Sequence, residues 1–249
     1  INTIGELAFD VQIEVNGPDA TVSVDPNDYT GYYTTILCNS NDDLYISDDA
    51  EVDDAYAILA AQLWMSNINS YMGYYNMTAE QILESECETG ISTFTEALYV
   101  NSDYATVTFA VEVVDGIPML SSRPIVKNFT TGDVEASDMT FDVELNACYT
   151  RVLDFTVTPS TDENYSILIL NKSALEGLTT DEEIIDYAVN GYWLDEYQGE
   201  YNYYNCYLRP ETEYSILVFG YYGGVATTGL TRLDVKTEPE AAAENSVTG

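Results

Sequence analysis

The chain has 249 residues and a formal net charge of −36, with 7 Lys and Arg against 43 Asp and Glu, and it contains no His. So acidic a chain lacks the basic face that nucleic-acid binders need, and it disfavours docking on anionic membranes. The absence of His excludes Ser-His-Asp and Cys-His triads and the common zinc sites. Hydrophobic residues make up 46% of the chain, which is too many for a disordered acidic tail.

The first half is predicted to begin with short β-strands. Val22 and Val24 alternate with polar residues, and an apolar stretch follows over Tyr33–Asn39. Further along, the same alternation places Val107, Phe109 and Val111 on one face and Thr108, Ala110 and Glu112 on the other. A period of two residues is typical of strands with one face on a core and the other in water.

Two helices are predicted between these strands. The first spans about Ala50–Asn67, with Ser47 or Asp48 near its start, and its apolar stripe contains Ala55, Ile58, Leu59, Leu63 and Met65. The second begins after Thr78, which forms a capping box with Gln81, and is expected to end at Gly90. Because their apolar residues need cover, we expect both helices to pack on the strands.

The second half of the chain repeats the first. Phe9-Asp10-Val11 recurs as Phe141-Asp142-Val143, and the strand at Tyr33 recurs at Tyr165. Thr180 and Glu183 form a second capping box, which predicts a helix that ends near Gly191. The repeat predicts a mainly β protein with two modules, 1–132 and 133–239, carrying helical inserts at about 40–92 and 172–200. Residues 240–249 are expected to form a tail.

Leu208 to Tyr214, read as Leu-Arg-Pro-Glu-Thr-Glu-Tyr, resembles the L-x-P-x-T-x-Y signature of fibronectin type III domains. The first module keeps Leu98 and Tyr104 of this motif but has lost its Pro and Thr. The resemblance implies two tandem fibronectin III or immunoglobulin-like β-sandwiches. It also implies tyrosine corners at Tyr104 and Tyr214, whose hydroxyls bond to upstream backbone.

More closely, the pair resembles the acidic, Tyr-rich, fibronectin-like surface lipoproteins of Bacteroidetes, which are associated with adhesion or carbohydrates. This resemblance implies an extracellular or outer-membrane location, with export and a lipid anchor on a removed N-terminus. The chain starts at Ile1 without Met, as a mature or trimmed chain does. No apolar run approaches the roughly 18 residues of a membrane helix, so we expect no transmembrane segment.

Exposed aromatic residues beside amides and carboxylates are the predicted ligand contacts. Flat rings stack on sugars while polar groups bind hydroxyls, and Tyr and Trp also favour protein contacts. Ordinary packing is the competing interpretation, since aromatic residues bury a large area wherever they fall. The candidates lie in three stretches of the chain: Tyr74 and Tyr75; Trp193, Tyr197 and Tyr201; and Tyr221 and Tyr222.

An acidic run over Asn39–Asp54 raises the question of a calcium site. Asp42, Asp43, Asp48 and Asp49 supply carboxylates, but the run lacks the D-x-D-x-D-G order and contains no Gly. A solvated loop next to a helix start is therefore the favoured interpretation. We expect no metal and no other cofactor.

The four cysteines have no C-x-x-C spacing. Bridges Cys38–Cys87 and Cys148–Cys206 are geometrically conceivable, but four small buried thiols are favoured because the two modules place them at non-equivalent positions.

The favoured function is a non-catalytic, monomeric cell-surface protein that captures a neutral glycan or a protein partner. A glycoside hydrolase, or an accessory module of one, is the alternative from another class, and it would require two facing carboxyls in a cleft. A structural spacer in a longer surface protein is the third interpretation.

Overall fold

The computed structural model describes residues 7–39 and 54–240, and the side chains of 7–38 and 56–240. The chain divides into two compact units, Ile1–Asp133 and Val134–Gly249. The described strands of unit 1 are β1 (Asp10–Asn16), β2 (Asp19–Asp25), β3 (Tyr32–Asn39), β4 (Ser92–Ala97), β5 (Asp103–Val114), β6 (Ile117–Leu120) and β7 (Ile125–Thr130). Its helices are α1 (Asp54–Tyr75) and α2 (Ala79–Glu86).

Unit 2 repeats this order with one shorter insert. Its described strands are β8 (Phe141–Cys148), β9 (Leu153–Pro159), β10 (Tyr165–Asn171), β11 (Tyr201–Asn205), β12 (Glu213–Tyr222), β13 (Val225–Ala226) and β14 (Thr231–Lys236). Between β10 and β11 lie a 3₁₀ turn (Lys172–Leu175) and helix α3 (Asp181–Gly191).

Each unit is a sandwich of two antiparallel sheets. In unit 1, one sheet has the order β1-β2-β4, and in the other β5 pairs with β3 on one edge and with β6 and then β7 on the opposite edge. Unit 2 has the same arrangement, with β8-β9-β11 in one sheet and β10, β12, β13 and β14 in the other. The predicted fold class, mainly β with two tandem β-sandwiches that carry helical inserts, is confirmed.

The alternating strands build the core between the sheets. In β2, Val22 and Val24 are buried in the unit 1 core with Phe9, Val11 and Tyr33. In unit 2, Phe155 and Val157 of β9 pack with residues of the facing sheet, among them Tyr165, Ile167, Tyr214, Ile216 and Val218. These strands have the two-residue period that the sequence predicts.

Strand β5 departs from the prediction because both of its faces are buried. Val107, Phe109 and Val111 pack with residues of α1 and α2, whereas Ala110 packs in the core between the sheets. Thr108, which was expected to face water, is completely buried. The helical insert forms a third layer over the face that carries Val107 and Phe109, while the face with Thr108 and Ala110 lies between the two sheets.

Helix α1 also differs from its prediction. It runs to Tyr75, and Asn76 then takes the left-handed conformation (φ 53°) that commonly ends a helix. Its small residues Ala57, Ala60 and Ala61 face the sheet, while Leu59 and Leu63 of the predicted stripe are exposed. A face of alanines lets the helix approach a sheet that already presents Val107 and Phe109.

The two short helices begin as predicted. Thr78 caps α2 and Thr180 caps α3, and each forms the reciprocal hydrogen bonds of a capping box. Helix α2 ends at Glu86 instead of near Gly90, because Cys87 is already extended.

In each unit, a tyrosine of the strand before the insert holds the end of the insert on the sandwich, and we call this contact the insert clamp. Tyr33 pairs by backbone with Glu88, and its hydroxyl donates to the carbonyl of Gly90 (2.7 Å). Tyr165 pairs with Tyr197 in the same way and donates to the carbonyl of Gly199 (2.8 Å). Burial raises the pKa of Tyr165 to about 12, so this hydroxyl keeps its proton and stays a donor at neutral pH.

Both tyrosine-corner candidates accept a backbone hydrogen bond from five residues upstream. The Tyr104 hydroxyl accepts from the N–H of Tyr99 (3.0 Å), and the Tyr214 hydroxyl accepts from the N–H of Arg209 (2.9 Å). Thr131 and Thr237 then tie the same loops to the last strand of each unit. The repeat therefore extends to individual hydrogen bonds.

Replacing Thr106 by Val is expected to stabilise unit 1 by about 1 kcal/mol. Its hydroxyl is fully buried without a hydrogen-bond partner, and Val keeps the shape while removing the unpaired group. The equivalent position in unit 2, two residues after the corner tyrosine, is Ile216. Urea unfolding provides the measurement. Thr108→Val is the matched control and should not stabilise, because its hydroxyl already bonds Thr35 (2.8 Å); equal gains for both would contradict the interpretation.

Candidate functional site

The most exposed aromatic group of the predicted set lies at the end of α3. Trp193 is 89% exposed, and Tyr192 and Tyr187 beside it are each more than a third exposed. We call Tyr187, Tyr192 and Trp193 the Trp193 platform. Trp side chains are highly buried on average, so an indole in solvent is an informative observation.

The geometry of the platform comes from the way in which α3 ends. Tyr192 is the extended residue after the last helical turn, and its N–H still donates to the carbonyl of Ala188 (3.2 Å). Its ring meets that of Tyr187 edge to face, with centroids 5.7 Å apart, and the two hydroxyls are 3.3 Å apart. This contact fixes the ring of Tyr192, the residue that directly precedes the exposed Trp193 in the chain.

Polar groups are available after the platform along the chain. Asp195 and Glu196 are exposed. Glu196 accepts a hydrogen bond from the side-chain amide of Asn164 (2.6 Å), which orients its carboxylate. Aromatic faces followed by oriented carboxylates are suited to ligands that carry both an apolar face and hydroxyl groups.

Tyr197 and Tyr201 belong to a different group. Their ring centroids lie 4.3 Å apart, and Tyr197 also packs on the fully buried Tyr165 at 5.9 Å. Burial, together with the nearby Tyr201 hydroxyl, raises the pKa of Tyr197 to about 12. These two rings therefore support the insert clamp, and the structure does not join them to Trp193 by a ring contact.

Tyr221 and Tyr222 are half-buried at the end of β12, where both pair with β13. Tyr221 packs edge to face on buried Phe219, with centroids 6.3 Å apart. The structure thus places these two candidates in packing positions.

Tyr74 and Tyr75 lie at the end of α1 in unit 1. Tyr74 is 83% exposed, and its ring meets Tyr75 edge to face at 4.9 Å. Tyr75 also borders a shallow groove of about 600 Å³ with Met77, Gln81 and Glu84. This is a second exposed aromatic surface, and it belongs to unit 1, whereas the Trp193 platform belongs to unit 2.

The calcium candidates Asp42, Asp43, Asp48 and Asp49, together with the predicted helix start at Ser47 or Asp48, lie outside the described residues. Within residues 7–39 and 54–240, no group of three potential metal ligands is found. None of the four cysteines forms a disulfide in the part of the chain that the structure describes; Cys38 is buried, whereas Cys87, Cys148 and Cys206 are half-buried and not fully buried as the sequence favoured. In the same part of the chain, no helix is both long and apolar enough to cross a membrane.

A cluster of charges surrounds Asp234 on β14. Its carboxylate accepts two hydrogen bonds from Arg232 (2.8 and 3.1 Å) and one from Ser215 (2.7 Å), and Lys172 lies 3.0 Å away. Burial alone would raise the pKa of Asp234, but these donors outweigh it and lower the pKa to about 2. Lys172 and Arg232 therefore already have an acidic partner within the chain, Asp234.

Asp234 is expected to titrate near pH 2. Because its folded pKa is depressed, its contribution to stability is present above about pH 4 and is lost as the pH falls through 2. The carboxyl ¹³C shift of Asp234, followed by NMR, measures the midpoint. Ser215→Ala should move it upward; an ordinary midpoint in the wild type would contradict the assigned network.

Sequence reasoning missed Tyr187 and Tyr71 as parts of exposed aromatic surfaces. Tyr187 contacts Tyr192 and Tyr71 contacts Tyr75, both near the end of a helix. The spacing of four residues between Tyr71 and Tyr75 was a usable signal, because such residues share one helix face. No signal marked the highly exposed Tyr207, whose N–H donates to the side chain of Asn205 (2.8 Å).

Comparisons with known proteins do not identify a family for this chain. No protein-family profile matches the chain, and no curated protein matches it. Among solved structures, the chain is similar to the FN1-FN3 domains of chicken CNTN1, with 12% sequence identity and a TM-score of 0.32. The match covers 92% of this chain, and the chain spans 63% of that structure. The fold class rests on the strand order described above.

Proposed function

We propose that this protein is a non-catalytic, exported surface protein that captures a neutral glycan on the Trp193 platform. The observation that carries the proposal is the 89% exposure of Trp193, which directly follows the paired ring of Tyr192 in the chain. Stacking a sugar ring on the indole face removes apolar surface from water, which lowers the free energy. In the free protein this face is still exposed to solvent. Tandem β-sandwiches are common in cell-surface proteins, which supports the proposed location.

The charge of the chain favours a neutral ligand. With a net charge of −36, the protein repels anionic polymers over the Debye length, about 8 Å at physiological salt. A neutral sugar meets no such barrier, and carboxylates such as Asp195 and Glu196 can accept hydrogen bonds from its hydroxyls. An acidic glycan should therefore bind more weakly than a neutral one of the same length.

Two carboxyls have a pKa that is unsuited to the general acid of a glycoside hydrolase. In the described part of the chain, Glu183 has its pKa lowered by hydrogen bonds from Thr179 and Thr180, and Asp234 has its pKa lowered by its cluster. A general acid for hydrolysis needs a raised pKa instead. A structural spacer, the third interpretation, does not need an exposed group of aromatic side chains.

A glycan array with purified full chain tests the proposal. We expect saturable binding to neutral oligosaccharides, confirmed by calorimetry, and at least a tenfold loss of affinity in Trp193→Ala because the stacking face is removed. Tyr207→Ala is the matched control, since Tyr207 is 91% exposed in the same unit but has no ring partner described. No binding, or equal affinity in both variants, would refute the platform as the site.

A further inference from the structure

The turn between the two helices of unit 1 carries a shallow groove. Helix α1 ends at Tyr75 and α2 begins at Ala79, and the groove of about 600 Å³ lies beside this turn. We call it the Tyr75 groove. Its volume falls within the range of about 300–1,000 Å³ in which small-molecule sites lie. The residues that line it are Tyr75, Asn76, Met77, Gln81, Glu84 and Ser85.

Three tyrosine rings meet at Tyr75, which lines the groove. The ring of Tyr75 contacts that of Tyr74 edge to face, with centroids 4.9 Å apart, and that of Tyr71, with centroids 6.3 Å apart. All three side chains are exposed, Tyr75 by 63%. Exposed apolar side chains are ordinary when they are scattered singly, whereas these rings touch each other. The ring of Tyr75 is thus held by two neighbours and still offers free surface to a ligand.

The α2 wall of the groove is polar, and one of its side chains is fixed. Gln81, Glu84 and Ser85 are spaced by three and four residues, so they lie along one face of the helix, and all three are exposed. The Oε1 of Gln81 accepts a hydrogen bond from the N–H of Thr78 (2.9 Å) as part of the capping box. This bond orients the amide, and it leaves two Nε2 donors that have no partner within the described residues.

Glu84 supplies the complementary acceptor. It stands three residues after Gln81, so a donor and an acceptor lie next to each other on the α2 wall. A sugar hydroxyl both donates and accepts, so two neighbouring hydroxyls match this pair. Among the described residues that line the groove, Glu84 alone is charged, and an anionic ligand finds no counter-charge there. A purely apolar ligand would cover the amide and the carboxylate without pairing them, which costs free energy.

We propose that the Tyr75 groove is a second glycan site, in which a ring of a neutral oligosaccharide stacks on Tyr75 and its hydroxyls bind Gln81 and Glu84. The inference rests on the proposed function for the class of ligand alone, because the groove belongs to unit 1 and the Trp193 platform to unit 2. Each unit then has its own site. A tyrosine ring offers a smaller stacking face than an indole, so we expect the groove to bind at least tenfold more weakly than the platform.

Saturation-transfer NMR on the full-length protein, which detects weak binding, tests the proposal with short neutral gluco-, manno-, galacto- and xylo-oligosaccharides as probes. The Trp193→Ala variant removes the platform, and we expect it to keep a weak, saturable interaction with at least one probe. Adding Tyr75→Ala should lower this residual affinity at least tenfold, because the stacking face is lost. Adding Glu84→Ala instead should also weaken it, because the acceptor is lost.

Two substitutions in unit 1 are the matched controls. Tyr99 is 55% exposed, and Glu80 is exposed on α2, but neither lines the groove. In the Trp193→Ala background, Tyr99→Ala and Glu80→Ala should leave the residual binding unchanged. They separate a contact in the groove from a general effect of removing a tyrosine or a negative charge.

The outcomes distinguish the two sites. Loss of all binding in Trp193→Ala, from a wild type that binds, would overturn the groove and leave the platform in place. Equal binding by Trp193→Ala and the wild type, lost on Tyr75→Ala, would support the groove and refute the platform. Residual binding that Tyr75→Ala does not change, or that Tyr99→Ala removes to the same extent, would also overturn the proposal. A wild type that binds none of the probes would contradict both sites.

Discussion

Replacing Phe109 by Ala is expected to destabilise unit 1 by about 3–5 kcal/mol, because it deletes a fully buried ring that packs with α1. The ring meets Trp64 of α1 edge to face, with centroids 5.6 Å apart. The loss would consume a large part of the stability of a typical domain. Urea unfolding followed by Trp64 fluorescence, in a Trp193→Phe background, reports the change.

Ile91→Ala is the control for this prediction, since the side chain is mostly exposed in the same unit and its loss should cost little. The comparison tests the helical layer directly. If α1 did not cover the face of β5 that carries Phe109, that face would be open to solvent and truncation of Phe109 would cost far less. Similar midpoints for the two variants would contradict the third layer.

Gly220→Ala is expected to destabilise unit 2 by about 1–3 kcal/mol through overpacking. Gly220 is buried in β12, and an added Cβ would overlap the hydroxyl of Thr227 and lie 2.7 Å from the methyl carbon of Thr228. Thr228 cannot easily move, because its hydroxyl accepts a hydrogen bond from the N–H of Gly220 (2.8 Å). Thermal unfolding measures the change.

Gly229→Ala is the matched substitution, because nothing lies within 4 Å of the Cβ that it adds. It should leave the melting temperature almost unchanged. The equivalent residue in unit 1 is already an alanine, Ala110, so the cost at Gly220 arises from the neighbouring loop and not from the strand position. A neutral Gly220→Ala would mean that this loop is not packed on β12 as described.

Local signals in the sequence were sufficient for much of the fold. The capping boxes at Thr78 and Thr180 depend only on contacts three residues apart, so they could be read directly. The period-two pattern of Val22 and Val24 likewise reports one buried face. The burial of both faces of β5 was not predictable, because one face is covered by α1, which is distant in sequence, while the face with Ala110 lies between the two sheets.

The candidate site could also be predicted only in part from the sequence. Composition identified the stretch that contains Trp193, Tyr197 and Tyr201, but exposure separates them, with Trp193 in solvent and Tyr197 against Tyr165. Which face of α1 is exposed was predicted wrongly, because hydrophobicity ranks Leu59 and Leu63 above Ala57 and Ala61. Close approach to a sheet of large side chains reversed that order.

Fluorescence of Trp193 tests the central claim most directly. The chain has two Trp, so Trp64→Phe leaves Trp193 as the single indole reporter, and neutral acrylamide avoids repulsion from the negative charge. The account predicts red-shifted emission with strong quenching, and protection from quenching that saturates on addition of a neutral oligosaccharide identified by the array. Emission typical of a buried indole, or quenching that no neutral glycan changes, would contradict it.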